Sequence, residues 1–135
     1  MTHAKLMVQT NPSETIVEQG TLVECIEACF DCAQACTSCA DACIGEEDIQ
    51  MLARCIRLDL DCADVCESTG KILSRQTGTD PQMLRTALQA CAEACRLCAE
   101  ECEQHAEHHE HCRHCADACR SCEQACNNVL SALPA

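Results

Sequence analysis

The sequence predicts an all-α protein, an antiparallel up-down-up-down four-helix bundle with a cysteine-lined core. Cysteines recur at alternating spacings of three and four residues, which places them on one face of a helix. Proline, glycine and capping residues divide the chain into four such segments with short connections, which favours neighbouring helices of opposite direction. The length of 135 residues fits a single domain over 1–135, with residues 1–12 as a flexible N-terminal tail.

The first predicted helix begins at a capping motif. Asn11 is a capping residue, Pro12 stands at the first helical position and Glu14 at the third. Gly45 predicts the end of this helix, in the left-handed conformation common after a last helical turn. The cysteine alternation is uninterrupted between these signals, at Cys25, Cys29, Cys32, Cys36, Cys39 and Cys43.

The second predicted helix follows directly and runs to Gly78. Glu46, Glu47 and Asp48 place negative charge at its positive end. An apolar stripe at heptad spacing predicts packing against a neighbouring helix, and it consists of Met51, Leu58, Val65 and Ile72. Met51 alternatively offers a thioether ligand near the open end of the bundle, where the first two predicted helices are connected.

The cysteine pattern of the second helix is incomplete. Its cysteines are Cys55, Cys62 and Cys66, and Asp59 and Thr69 fall on the same inward phases. Two interpretations of Asp59 are open. It is an auxiliary ligand or hydrogen-bonding partner in the core, or it belongs to a part of the helix that is rotated toward solvent.

Asp80 and Pro81 open the third predicted helix by the same capping device. The remaining cysteines fall into two groups, Cys91, Cys95, Cys98 and Cys102, then Cys112, Cys115, Cys119, Cys122 and Cys126. The ten-residue gap between the groups breaks the heptad phase, and one continuous helix would be unusually long. The sequence therefore predicts a turn within residues 104–110, with the third helix ending near His105 and the fourth starting near His108.

Charge and hydropathy restrict the location and the partners. The net charge is −13 and the nine basic residues form no patch, which argues against nucleic acid as a partner. No segment approaches the roughly 20 apolar residues of a membrane span. The N-terminal residues do not form a signal peptide, so we expect a cytoplasmic protein whose thiols stay reduced.

The 18 cysteines need an explanation other than packing. Aromatic residues make up only 1% of the chain, and cysteine is too small to fill positions that leucine or isoleucine normally holds. Disulfides are disfavoured because sulfurs one turn apart on a helix have a poor geometry for an S–S bond. The pattern therefore favours thiolate ligands for metal ions.

Three soft-metal chemistries fit thiolates: Cu(I), zinc and iron–sulfur clusters. Same-face cysteine pairs one turn apart suit the two-coordinate Cu(I) ion, whereas zinc requires about four converging ligands. Ferredoxin cluster motifs end in Cys-Pro, which is absent here. Each Cu(I) that replaces a thiol proton leaves the net charge unchanged, so the core can hold on the order of one ion per cysteine.

These series of cysteines, spaced alternately by three and four residues, resemble those of the bacterial copper storage proteins. The resemblance covers about residues 13–132, and it is carried by segments such as Cys25 to Cys36 and Cys112 to Cys119. It implies the cytosolic branch of that family, a four-helix bundle packed with Cu(I) thiolates, and assembly as a homotetramer. The incomplete second helix is a departure from the family's pattern.

One end of the predicted bundle is rich in histidine. The first and third connections meet there, and the histidines are His105, His108, His109 and His111. Imidazole binds Cu(I) more weakly than thiolate, so these residues are candidates for passing ions inward, and the alternative is a solvated helix end. The opposite end is a predicted apolar plug made of Leu22, Leu73, Leu84, Leu88, Val129 and Leu130.

Together the patterns predict a protein that stores and buffers several Cu(I) ions and exchanges them with a copper chaperone or a copper enzyme. The alternatives are general sequestration or detoxification of zinc and cadmium and, less favoured, iron–sulfur electron transfer. The sequence has no nucleophile–base pair, phosphate loop or open metal site with a general base, so we do not expect an enzyme.

Overall fold

The computed structural model describes residues 2–135 and contains only helices within them. The helices are α1 (Ala4–Thr10), α2 (Gln19–Ile44), α3 (Ala53–Ser74), α4 (Pro81–His105) and α5 (Glu110–Ala132), and a 3₁₀ turn, Ile49–Leu52, leads into α3. The predicted all-α class is therefore confirmed. None of these helices is long and apolar enough to cross a membrane.

The four long helices surround one core. Helix α2 packs against α3 and α5, and α4 packs against the same two helices, whereas α1 packs on α2. Each long helix thus turns one face toward the centre, and every cysteine lies on such a face. The connections are short, and the one before α3 adds Leu52 to the core.

Two predicted boundaries of α4 are confirmed. The Asp80 carboxylate accepts hydrogen bonds from the backbone N–H groups of Gln82 and Met83, at 2.9 and 3.0 Å, and Pro81 occupies the first helical position. The helix ends at His105 and α5 begins at Glu110, so the turn lies in the predicted interval. The break in the heptad phase and the unusual length of one continuous helix together were the signal for this turn.

The predicted start of the first long helix is wrong. Helix α2 begins at Gln19, where the Glu18 carboxylate accepts from the N–H groups of Gly20 and Thr21. The Asn11 side chain instead accepts from the N–H of Ser13 in a local turn. A capping signal reports only a local side-chain to backbone bond, and at Asn11 that bond forms without a helix after it.

The segment between Asn11 and Glu18 is held against the α3–α4 connection. The N–H of Ile16 donates to Gln76 Oε1 at 3.0 Å, and Gln76 Nε2 donates to the carbonyl of Leu73 at 2.8 Å. Gln76 is buried, so both halves of its amide need these partners.

The prediction of a flexible tail at residues 1–12 also differs from the structure. Residues 4–10 form α1, whose Val8 is buried and whose Ala4 packs on the same core. In the sequence, the signal for this helix was the spacing of four residues between Ala4 and Val8. Met1, part of the same prediction, lies outside the described residues.

Two further predictions about α2 and α3 require correction. Gly45 has φ of −80° and lies in the right-handed region, where its N–H donates to the carbonyl of Ala42. Helix α3 ends at Ser74, before the predicted Gly78, and Gly78 adopts the left-handed conformation, φ 70°, in the following turn.

The predicted apolar plug is buried, whereas one residue of the predicted apolar stripe, Met51, is not. The plug leucines, Leu22, Leu73, Leu84 and Leu88, are fully buried together with Val129, and Leu130 is partly buried. Met51 is 73% exposed, so its predicted packing role is wrong, although Leu58, Val65 and Ile72 of the same stripe pack against the core. The 3₁₀ turn before α3 rotates Met51 off the stripe.

We expect the metal-free protein to be folded, because caps and the leucine plug do not depend on an ion. Its far-ultraviolet circular dichroism should be strongly helical and change little when Cu(I) is added. Zinc fingers provide the contrast, since they are unfolded without metal. A random-coil spectrum for the metal-free protein would contradict this expectation.

Candidate metal centre

The 18 cysteines form one continuous column of sulfur. All are buried and all are free thiols. Neighbouring sulfurs approach to 3.6 Å in the pairs Cys36–Cys119 and Cys66–Cys95. This separation is far longer than the roughly 2.05 Å of a disulfide, so the thiols are unlinked, and they lie close enough together to bind one ion jointly. The predicted inward direction of all the cysteine ladders is therefore confirmed.

The sulfurs meet within helices and between them. Predicted pairs one turn apart do approach each other, as in Cys62–Cys66 at 3.7 Å. Contacts between helices are at least as close, as in Cys55–Cys102 at 3.6 Å. The clusters consequently draw ligands from several helices, which periodicity along one helix could not reveal.

Cysteine quartets occur repeatedly along this column. In each quartet the sulfurs lie within 4.8 Å of one another, and four quartets are Cys29/Cys91/Cys122/Cys126, Cys32/Cys66/Cys95/Cys122, Cys32/Cys36/Cys62/Cys119 and Cys36/Cys98/Cys115/Cys119. Adjacent quartets share members such as Cys122, Cys32 and Cys36. A shared sulfur can bridge two ions, so the quartets form one connected binding region.

A single quartet could also hold a tetrahedral divalent ion such as zinc. The ladder geometry expected from sequence, two sulfurs per ion, is therefore only part of what the structure offers. Charge separates the metals more sharply than geometry. Zinc on four thiolates leaves two buried negative charges, whereas Cu(I) matched one-to-one with thiolates leaves none.

Asp59 points into the sulfur column. Its carboxylate oxygen Oδ1 accepts from the thiols of Cys98, Cys115 and Cys102 at 3.1, 3.3 and 3.5 Å. The pKa of Asp59 is raised to about 7, mainly because the carboxyl group is buried and secondly because of the charge of Cys115. Of the two interpretations, rotation toward solvent is excluded, because the residue is fully buried.

The mouth of the column is the end where the Gly45–Leu52 connection meets the turn before α5. Cys39, Cys43, Cys112 and His111 lie there within 4.8 Å of one another. His111 Nδ1 is 3.4 Å from the sulfur of Cys39 and 3.7 Å from that of Cys112. Burial, with the nearby charges of Cys55 and Asp59, raises the pKa of the Cys43 thiol to about 12.

The other predicted histidines face carboxylates or solvent. His109 Nε2 is 3.0 Å from Asp48, and the hydrogen bond to this carboxylate raises the pKa of His109. His105 Nε2 is 2.8 Å from Glu101, and His108 is exposed. Of the four, His111 alone is placed against the thiols within residues 2–135.

Three acidic residues at the mouth were not identified as functional from sequence. Glu46 and Asp48 were interpreted only as charges at a helix start, yet they contact His109 and His111. Glu101 is buried beside Arg54 and His105. The spacing of four residues between Glu101 and His105 was a usable signal, whereas the Glu46 contact depends on tertiary structure.

Replacing Asp59 with asparagine should stabilise the metal-free protein at neutral and alkaline pH. The pKa of Asp59 is about 7 in the folded state, against roughly 3.9 in an unfolded chain. The folded state therefore holds a proton that the unfolded state has lost between these values, and stability falls as pH rises through that window. At pH values above the folded pKa, Asp59→Asn should raise the free energy of unfolding by at most about 4 kcal/mol.

Urea unfolding of the metal-free protein over a pH series measures this effect. Asp64→Asn, an exposed site on the same helix, is the matched control and should keep the parent's pH dependence. Identical pH profiles for the parent and Asp59→Asn would show that Asp59 does not titrate as described.

Comparison with known proteins places this chain in a family. Residues 18–131 match the sequence profile of the family described as copper storage protein. A search of curated protein sequences finds no match. Solved structures of copper storage proteins are similar to this chain along most of their length. The copper storage protein Ccsp from Streptomyces lividans, loaded with 10 copper equivalents, is 51% identical with a TM-score of 0.94, over 96% of this chain and 99% of that one.

A cytosolic copper storage protein from Streptomyces lividans with five coppers is 56% identical with a TM-score of 0.84, over 85% of this chain and 96% of that one. The Cu(I)-bound copper storage protein BsCsp3 is 38% identical with a TM-score of 0.69, over 82% of this chain and 95% of that one. The chain belongs to the copper storage protein family.

Proposed function

We propose that this protein stores and buffers Cu(I) in the cytosol, holding multiple ions on the thiolates of its core. The observation that carries the proposal is the connected series of cysteine quartets, because shared sulfurs allow ions to be packed at high density. The similar structures from Streptomyces lividans, one of a protein termed cytosolic and both containing copper, support the metal and the location.

The storage ligands in this proposal are the 18 cysteines, and Asp59 is an auxiliary ligand among them. The contacts of Asp59 with three thiols support its role. When these thiols exchange their protons for Cu(I), their hydrogen bonds to the carboxylate are lost, and the carboxylate is free to bind an ion. At the mouth, His111 is the histidine placed to share an ion with thiolates. His105, His108 and His109 would act only transiently, because carboxylates or solvent occupy their ring nitrogens.

Charge balance explains why the ion is Cu(I). Burial disfavours an ionised thiol and raises the pKa of Cys43. Hydrogen bonds with Cys126 and Cys29 act in the opposite direction at Cys25 and lower its pKa to about 5. We propose that most thiols of the metal-free core are protonated, because burying many uncompensated charges is too costly. A monovalent ion that replaces one proton leaves the core neutral, and this exchange can be repeated along the column. One zinc ion per thiolate would give the core excess positive charge. One zinc ion per four thiolates would give it excess negative charge.

The finer architecture is part of the proposal. The short connections and the ring of packed helices support an antiparallel up-down-up-down bundle that forms a single domain. We also propose a homotetramer, as the resemblance to the copper storage proteins implies. The exchange partner would be a copper chaperone or a copper enzyme, and the protein itself has a non-catalytic role.

One alternative keeps a specific structural argument. Each quartet of sulfurs fits a tetrahedral ion, so general sequestration of zinc or cadmium uses the same residues. Iron–sulfur electron transfer has less support, because the quartets overlap instead of standing apart as separate cluster sites. Copper capacity distinguishes these alternatives.

The number of ions at saturation tests the proposed function. Anaerobic titration of the reduced protein against a competing Cu(I) chelator should saturate on the order of one ion per cysteine, since shared sulfurs bridge neighbouring ions. Zinc, titrated in parallel, should saturate near a quarter of the cysteine count, because it needs about four ligands per ion.

Saturation at the same low number for both metals would reject a copper store and support general metal binding. A brown colour after reconstitution with iron and sulfide, together with low copper capacity, would favour the iron–sulfur alternative.

A further inference from the structure

A chain of carboxylates and imidazoles borders the mouth. Glu46 Oε2 lies 3.1 Å from His111 Nε2 and also contacts His109 Nδ1. The other ring nitrogen of His109 is 3.0 Å from Asp48. The order of contacts is thus Asp48, His109, Glu46 and His111, followed by the thiols of the mouth.

This order of contacts determines which nitrogen of His111 is free. A carboxylate only accepts hydrogen bonds, so the Nε2 atom that faces Glu46 carries the proton. A neutral imidazole has one N–H, and its Nδ1 atom therefore keeps its lone pair. That atom lies 3.4 Å from the sulfur of Cys39. With the proton on Nδ1, no nitrogen lone pair would face the thiols.

We propose that Glu46 is a positioning residue for copper uptake, which sets the tautomer and orientation of His111. An ion reaching the mouth then meets Nδ1 of His111 together with the sulfurs of Cys39, Cys43 and Cys112. A carboxylate behind a metal-binding imidazole is a common arrangement, and its loss typically costs roughly 10- to 100-fold in metal affinity or activity. The inference rests on the proposed function, since it assigns a task at the mouth of the same core.

The fold holds the Glu46 carboxylate in place. Glu46 follows the end of α2 and reaches across to the first turn of α5, where His111 lies. His109, itself held by Asp48, contacts the same carboxylate oxygen and restricts its movement. The adjacent Glu47 is exposed and has the same charge and chain length, so it provides a matched control.

The first experiment measures the tautomer of His111 in the metal-free protein. Two-dimensional ¹⁵N–¹H spectra of the imidazole rings, recorded well above the ordinary histidine pKa, distinguish a protonated from an unprotonated ring nitrogen. The parent and Glu47→Ala should show His111 with Nε2 protonated and Nδ1 free. Glu46→Ala should show a mixture of tautomers, and Glu46→Gln should keep the parent's tautomer because the amide oxygen still accepts from Nε2.

The second experiment measures copper uptake on the same variants by anaerobic stopped flow. Uptake of the first ions should slow by roughly 10- to 100-fold in Glu46→Ala and change little in Glu46→Gln and Glu47→Ala. The total capacity of every variant should equal the parent's, because the core thiols are intact. Circular dichroism of each variant excludes loss of the fold as the cause.

Two results would overturn the inference. One is a parent protein whose His111 carries its proton on Nδ1, and the other is a Glu46→Ala variant that loads as fast as Glu47→Ala. Neither is confused with failure of the proposed function. A parent that holds few copper ions would reject storage, while the tautomer, measured without copper, would still decide the role of Glu46.

Discussion

Negative charge on buried sulfur is the constraint on which the rest of this structure depends. A thiolate in a core without water is strongly disfavoured unless a cation accompanies it. Burial raises the pKa of the Cys43 thiol to about 12 and that of the Asp59 carboxyl group to about 7, which reflects this cost. Hydrogen bonds between neighbouring thiols offset part of it at some sulfurs, as at Cys25. Proton and Cu(I) both carry a single charge, and each can neutralise one sulfur. A core built from thiols can therefore exist empty or filled without a change in its net charge.

The fold separates the task of holding the protein together from the task of holding the cargo. Leucines close one end of the core, and the buried amide of Gln76 fixes the segment that crosses it. The central column is left to cysteine, which is too small to pack a bundle well on its own. Histidines and carboxylates occupy the other end, where His111 lies against the thiols of Cys39 and Cys112. Stability and cargo thus draw on different residues, which is a condition for a reversible store.

The sequence predicted the features that depend on local periodicity. The inward direction of the cysteine ladders follows from spacing alone, and the turn before α5 follows from a break in that spacing. Helix starts were less certain, because Asn11 and Glu18 both form capping bonds and only the second precedes a long helix. The sequence could not predict which residues contact each other between helices. The quartets, and the contact of Glu46 with His111, bring together residues from distant parts of the chain.

The exchange of protons for Cu(I) is the central claim, and proton release measures it most directly. Reduced, metal-free protein in a weakly buffered anaerobic solution is titrated with Cu(I), added as its acetonitrile complex, which carries no protons. A pH-stat counts the protons set free by each ion. The account predicts about one proton released per Cu(I) throughout loading, because each ion replaces the proton of a buried thiol. Release of far less than one proton per ion would mean that the thiols are already ionised in the empty core, and would contradict the account.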